Sequence, residues 1–365
     1  DLEPELNRSR RGIRPISAKG RVGEAKERER GETPVERPGR LRADSPSDRL
    51  RLAAPEEIRV HRYPGRVTDV LHPAPVPLPS PLAEASAAGR TLVMGIINVT
   101  PDSFSDGGRW ETADLAVAHG RQLLAQGADI VDVGGESTRP GATPLSARDE
   151  WDRIGSVVRT LANTPIRVSV DTYHAETARR AADAGAAIVN DVTGGHGDPS
   201  MLSAIAATGC TYILQHNRGG GASTDALASY GDVAAEVSGE LSASIDRAIS
   251  AGVDASQIVV DPGFGFAKVG PQDWDLAAHM ESVMSLGFPV LVGVSRKRFL
   301  AEIASGGEGP ERRDDATAAM TAYFASLGVW AVRVHEVAAS RAAVEAVARL
   351  RRAGAYERAA QAAPR

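Results

Sequence analysis

From Thr91 onward, eight short apolar runs rich in β-branched residues alternate with longer alanine-rich stretches, and this alternation most limits what the chain can fold into. The runs are LVMGII (92–97), DIVDV (129–133), IRVSV (166–170), AAIVN (186–190), TYILQ (211–215), QIVV (257–260), PVLVGV (289–294) and WAVRV (330–334). They are near-continuously apolar rather than alternating, the pattern of parallel strands covered on both faces. Between them lie stretches at helical spacing, among them 113–127, 175–185, 232–252 and 316–328, with 337–354 after the last run. Gly127, Gly185, Gly252 and Gly328 close four of these just before the next strand, where a helix C-terminus favours glycine. Parallel neighbours need a crossover, and a helix supplies it. Eight strand–helix units predict an α/β fold, a closed (β/α)8 barrel over residues 91–355. An open doubly wound sheet is the second choice; it usually carries a G-x-G-x-x-G turn after its first strand, and Asn98–Gly108 has none.

Residues 1–90 read differently. They hold 12 of the 22 prolines and carry a net charge of +4, against −9 for the rest of the chain. Without sustained apolar periodicity they bury too little surface to offset the entropy of ordering, so a mostly disordered Pro/Arg-rich extension is expected. Residues 356–365 are expected to be a C-terminal tail. The N-terminus lacks the apolar core of a secretory signal, and no run is long enough to span a bilayer. The overall charge of −5 gives no reason to expect nucleic acid or an anionic membrane as partner. The single cysteine, Cys210, excludes an internal disulfide, fits a reducing cytoplasm, and sits in an apolar run as a small buried hydrophobe.

The strand ends carry the chemistry. Strand one ends at Asn98, strand two at Asp132, strand three at Asp171, strand four at Asn190 and Asp191, strand five at Gln215 and His216, and strand six at Asp261. Strand seven runs into Ser295, Arg296, Lys297 and Arg298, and strand eight carries Arg333 and His335 two apart, on one face. One such tip is commonly a helix cap or turn residue. In a parallel barrel, eight of them converge on the face where barrel enzymes work. Carboxylates, amides, a lysine, an arginine and a histidine together suit a ligand with hydrogen-bonding edges and an anionic group. Two long loops, NVTPDSFSDGG after strand one and GGESTRPGATP after strand two, are too rich in Gly and Pro for simple connectors. Their hydroxyls and Arg139 are suited to phosphate oxygens, and Asn98 with Asp102 offers Mg²⁺ hard oxygen ligands.

MGIINVTPDSFSDGG, DIVDVGGESTRPGA, SVDT, NDV, DPGFGF, VGVSRK and RVHEV, in this order and spacing, resemble the dihydropteroate synthase family from about Leu92 to about Leu350. The resemblance implies a TIM barrel that joins 6-hydroxymethyl-7,8-dihydropterin diphosphate to p-aminobenzoate, with Mg²⁺, releasing pyrophosphate. It implies a pterin pocket of Asp132, Asp171, Asn190, Gln215, Asp261 and Lys297. It places the diphosphate against Asn98, Arg333, His335, Thr138 and Arg139, and the aminobenzoate against Phe104, Pro140, Lys297 and Arg298. It also implies a homodimer through the late helices. Two departures stand out. Gln215 replaces a methionine usual in the family, putting an amide on the pterin floor. Arg298 replaces a common serine and is expected to pair with the benzoate carboxylate. A non-catalytic pterin-binding paralogue with a regulatory or scaffolding role is the alternative, and a pterin-dependent methyltransferase a third; neither needs the intact GESTRPGA loop with the Arg333/His335 pair.

Overall fold

The computed structural model describes residues 89–100, 109–136, 144–219, 225–305 and 309–362. Residues 1–88 of the expected extension, and Asp102, Phe104, Thr138, Arg139 and Pro140 of the two long loops, lie outside them, whereas Arg90 is described and pairs with Asp129. Within them, eight parallel strands alternate with helices. The strands are β1 (Leu92–Asn98), β2 (Ile130–Gly134), β3 (Arg167–Asp171), β4 (Ile188–Asp191), β5 (Thr211–Gln215), β6 (Ile258–Asp261), β7 (Leu291–Val292) and β8 (Ala331–Val334). The helices are α1 (Arg109–Ala125), α2 (Ala147–Ala162), α3 (Ala175–Asp183), α4 (Met201–Thr208), α5 (Val233–Ser250), α6 (Gly270–Ala278), α7 (Glu281–Met284), α8 (Asp314–Leu327) and α9 (Val337–Ala362).

The sheet order is β6-β5-β4-β3-β2-β1-β8-β7, all parallel. A single bridge, Val260 to Val290, joins the two ends and closes the barrel. The sequence expected six residues in the seventh strand; the ladder holds only Leu291 and Val292, Pro289 lacks the N–H to extend it, and Gly293 and Val294 lie outside the strand. Strand five was expected at 211–215 and is found there. Gly127, Gly185, Gly252 and Gly328 all have positive φ, as a left-handed helix stop requires. Ser146 and Asp232 start α2 and α5 by accepting from the backbone N–H groups of Asp149 and Ala235.

The core has two shells. Leu92, Met94, Ile130, Ile188, Ile213, Val259, Leu291, Trp330 and Ala331 fill the barrel interior. A larger cluster, including Val131, Val133, Val170, Leu214, Val260 and Val332, lies between strands and helices. Alternate residues of each strand therefore belong to alternate shells, and this parity fixes which tip residues face inward. Cys210 is a buried free thiol whose Sγ meets the Ala186 carbonyl, as its apolar context implied.

Candidate active site

Two residues beyond the interior layer, in the C-terminal direction, parity places Ile96 on β1, Asp132 on β2, Asn190 on β4, Gln215 on β5, Asp261 on β6, Gly293 after β7 and Arg333 on β8. Asp171 ends β3 on the same parity, and Asn98 lies one step further up β1. Apart from Ile96 and Gly293 the inward residues are the polar ones, so the strand-end pattern in the sequence is a ring in space. Asp191 shows the rule from the other side. It points outward, where its carboxylate accepts from Thr193, the Gly195 N–H and the Tyr212 hydroxyl, and so builds the loop after β4.

Arg333 ties the ring together. Its Nε donates to Asp132 Oδ2 at 2.6 Å and its Nη2 to Asp171 Oδ2 at 2.7 Å. Asn190 Nδ2 donates to the same Asp132 oxygen at 3.0 Å. The arginine expected beside the diphosphate thus spans two carboxylates expected beside the pterin, and its Nη1 group remains uncommitted among the described residues. Burial pushes the Asp171 carboxyl up to about 7, with Arg333 pulling it down and Asp132 adding to the rise. Burial also raises Asp261, whose Oδ1 accepts the Gly263 N–H at 2.7 Å.

Three polar atoms of this ring are buried without a hydrogen-bond partner among the described residues: Asp132 Oδ1, Asn190 Oδ1 and Gln215 Nε2. Buried polar groups are otherwise almost always paired, so two acceptors and one donor converging on one space mark a ligand with the reciprocal groups. Gly293 keeps that space open. A Cβ there would lie 3.8 Å from both Asp261 Oδ2 and the Arg333 Cβ, and any longer side chain would enter the gap between them.

Lys297 stands at the rim. Its ammonium lies 3.9 Å from the centroid of the Phe266 ring, and burial lowers its pKa to about 8. His335 exchanges hydrogen bonds with Ser295: its backbone N–H donates to Ser295 Oγ, and its Nδ1 lies 3.0 Å from the same oxygen. Arg298 is elsewhere. Its Nη2 sits 2.7 Å from both oxygens of Asp225, so the side chain expected to meet the benzoate carboxylate is already paired with a protein carboxylate. His216 also turns away from the ring, toward Lys268 and Glu240.

Asn98 is exposed at the tip of β1, where its amide oxygen can offer one ligand to an ion that keeps most of its water. Mg²⁺ is commonly held in that way, by one or two protein oxygens plus substrate phosphates, so this end of the ring fits it. A second group, Glu136, Glu150 and His174, has ligand atoms within 4.8 Å of one another. These side chains are committed to the protein. Glu136 accepts from the Tyr173 hydroxyl and the Leu145 N–H, and Glu150 accepts from Thr172 and contacts His174 Nδ1. No local pattern marks this cluster, because its members come from three separate segments.

Comparison with known proteins agrees with this geometry. Residues 94–335 match the sequence model of a family described as pterin binding enzyme. Dihydropteroate synthase of Mycobacterium leprae is 48% identical over 260 residues, 70% of this chain and 92% of that one. Dihydropteroate synthase of Xanthomonas albilineans, solved with 4-aminobenzoic acid, superposes with a TM-score of 0.65 at 42% identity, covering 75% of this chain and 94% of that one. The same enzyme solved with 7,8-dihydropteroate gives a TM-score of 0.63 at 39% identity, over 75% and 95% of the two chains. A barrel matched over nearly the full length of these relatives, with its polar ring at the strand ends, belongs to the pterin-binding enzymes and, among them, to the dihydropteroate synthases.

Proposed function

We propose that the protein condenses 6-hydroxymethyl-7,8-dihydropterin diphosphate with p-aminobenzoate, giving 7,8-dihydropteroate and pyrophosphate in folate biosynthesis. The observation that carries this reading is the inward ring of Asp132, Asp171, Asn190, Gln215 and Asp261, with three buried polar atoms facing a ligand rather than the protein. A pterin edge offers an amino group and ring N–H donors to the carboxylates, and ring nitrogens and a carbonyl to Gln215 Nε2 and Lys297. A pocket of buried polar groups also discriminates strongly, because a wrong ligand leaves them unpaired.

The diphosphate then lies at the Arg333 end of the ring, with His335, Asn98 and, from the second loop, Thr138 and Arg139. Asn98, with Asp102, would hold Mg²⁺, which neutralises diphosphate charge and makes pyrophosphate a better leaving group. Arg333 is suited to the same task through its Nη1, uncommitted among the described residues, and its bonds to Asp132 and Asp171 orient it in advance. Positive charge developing on the pterin methylene spreads into the ring. The arylamine is neutral at pH 7, so attack needs neither a strong general base nor a covalent nucleophile. Lys297, with Phe104 and Pro140 from the loops, faces the aminobenzoate; Arg298 would meet its carboxylate only by releasing Asp225.

We place the reaction in the cytoplasm, in line with a lone reduced thiol, and in a homodimer through α8 and α9, where Tyr323, Leu327 and Leu350 are exposed. No helix among the described residues is long and apolar enough to cross a membrane. The test is pyrophosphate release from the purified protein with both substrates and Mg²⁺. Release that requires all three supports the reading; tight pterin binding without release points to the non-catalytic paralogue.

A further inference from the structure

Behind the ring lies a buried lysine that the mechanism above does not use. Lys268 is 1% exposed, and its ammonium makes three contacts: His216 Nδ1 at 2.9 Å, the Gly263 carbonyl at 3.1 Å and the Phe266 carbonyl at 3.1 Å. All three partners are acceptors when the imidazole carries its proton on Nε2, and an ammonium has the three N–H groups to match. The far side of the ring fixes that tautomer. His216 Nε2 lies 2.9 Å from Glu240 Oε2, which has only lone pairs to offer. Glu240 is held in turn by Arg218.

The segment clasped by this ammonium is unusual. Gly263, Gly265 and Ala267 all have positive φ, at 69°, 68° and 47°, and Ala267 adopts this without the freedom of glycine. The turn is also crowded. A Cβ on Gly263 would lie 2.0 Å from the His216 carbonyl oxygen, and one on Gly265 would lie 2.8 Å from Lys297 Cδ. Such a backbone persists only when its surroundings over-determine it. What the turn delivers is specific to the site. The Gly263 N–H donates to Asp261 Oδ1, Gly265 packs on the Lys297 stem, and the Phe266 ring sits against the Lys297 ammonium.

We propose that Lys268 is a positioning residue for the reaction: its ammonium, aimed by the His216–Glu240 pair, holds the Pro262–Ala267 turn in the shape that seats Phe266 against Lys297 and fixes Asp261 at the pocket wall. The inference rests on the site as read above, with Lys297 facing the aminobenzoate. Lys268 itself touches neither substrate.

Steady-state kinetics test it. Lys268→Met keeps the length and removes the donors, and its KM for p-aminobenzoate is expected to rise about tenfold or more, because small displacements of a positioning group are costly. Added to Phe266→Leu, the same change is expected to cost much less than it does alone, since the ring through which it acts is already gone. Full multiplication of the two effects would show that Lys268 does not act through Phe266 and would overturn the proposal. Where Lys268→Met does not fold, a His216 pair decides. His216→Gln retains an acceptor for Lys268 and should stay within about threefold of the parent, while His216→Phe should reproduce the KM rise. Equal behaviour of those two variants would also overturn it. If the unmodified protein released no pyrophosphate, the reading of the site would fail; parental kinetics in Lys268→Met would remove only this inference.

Discussion

At the scale of single residues, the Arg333–Asp171 pair sets an unusual pH dependence. The Asp171 carboxyl is raised from its ordinary 3.8 to about 7, so its contribution to fold stability is present below about pH 4 and is lost as pH climbs through 7. Pterin binding has the opposite sign, because the ionised carboxylate is the stronger, charge-assisted acceptor for the pterin's ring N–H and amino donors. Affinity for 6-hydroxymethyl-7,8-dihydropterin, measured by calorimetry, should therefore rise several-fold between about pH 6 and 8, limited to tenfold per unit for one proton. Asp171→Asn should be weak and flat across the range; a parental slope in that variant would remove Asp171 as its source. Arg333→Ala withdraws the charge that pulls Asp171 down, so the binding midpoint should move above 7. Turnover should fall about 100-fold even where Asp171 is ionised, because the diphosphate has lost a preorganised donor. Gln215 makes a different prediction. Its Nε2 is buried with no partner among the described residues, so Gln215→Met should stabilise the free protein by about 1 kcal/mol in thermal unfolding while weakening pterin binding about fivefold. Loss of stability together with affinity would mean that the amide is paired within the fold.

At the scale of elements, the turn after β6 carries more of the site than its sequence suggests. Gly263→Ala places a methyl 2.0 Å from a carbonyl oxygen of β5's extension, at a φ of 69°. Backbone cannot move aside as a flexible side chain can, so the variant should lose well over the 1–2 kcal/mol of left-handed strain alone, read as a fall in thermal midpoint. The strands themselves were legible in the sequence. Apolar runs with one period bounded by polar tips fixed Asp132, Asn190 and Asp261 at strand ends, and parity then fixed their direction. Relations between distant segments were not legible. Lys268 and His216 are 52 positions apart, and Arg298 and Asp225 are 73 apart. No local pattern marks either pair, because each depends on how two loops meet above a closed barrel. His216 illustrates the limit: the sequence put it at a strand tip, but one step of parity turned it from the pocket to the wall behind it.

At the scale of the whole molecule, the barrel has one weak seam. Seven of its eight strand junctions are ladders, whereas β6 meets the β7 region through the single Val260–Val290 bridge, and β7 pairs only two residues with β8. Local opening is easiest where few backbone hydrogen bonds must break, so the Val260 amide, which donates to Pro289, should exchange faster than the amides of Ile97 or Val133 in the β1–β2 ladder. The seam is also where function bears on the fold. Asp261 ends β6 and Lys297 follows β7, so a pterin touching both would bridge the two lips that the backbone joins so sparsely. At a pterin concentration about 100 times Kd, binding stabilises the whole fold by about 2.7 kcal/mol, and every globally exchanging amide gains that much protection. If the ligand closes the seam, Val260 should gain more than the global amount, converging on the β1–β2 amides. Hydrogen exchange followed by mass spectrometry with and without 6-hydroxymethyl-7,8-dihydropterin measures both quantities. A Val260 segment protected no more than the rest would mean that the pterin does not span β6 and β7, and Asp261 and Lys297 would then have to serve different ligands.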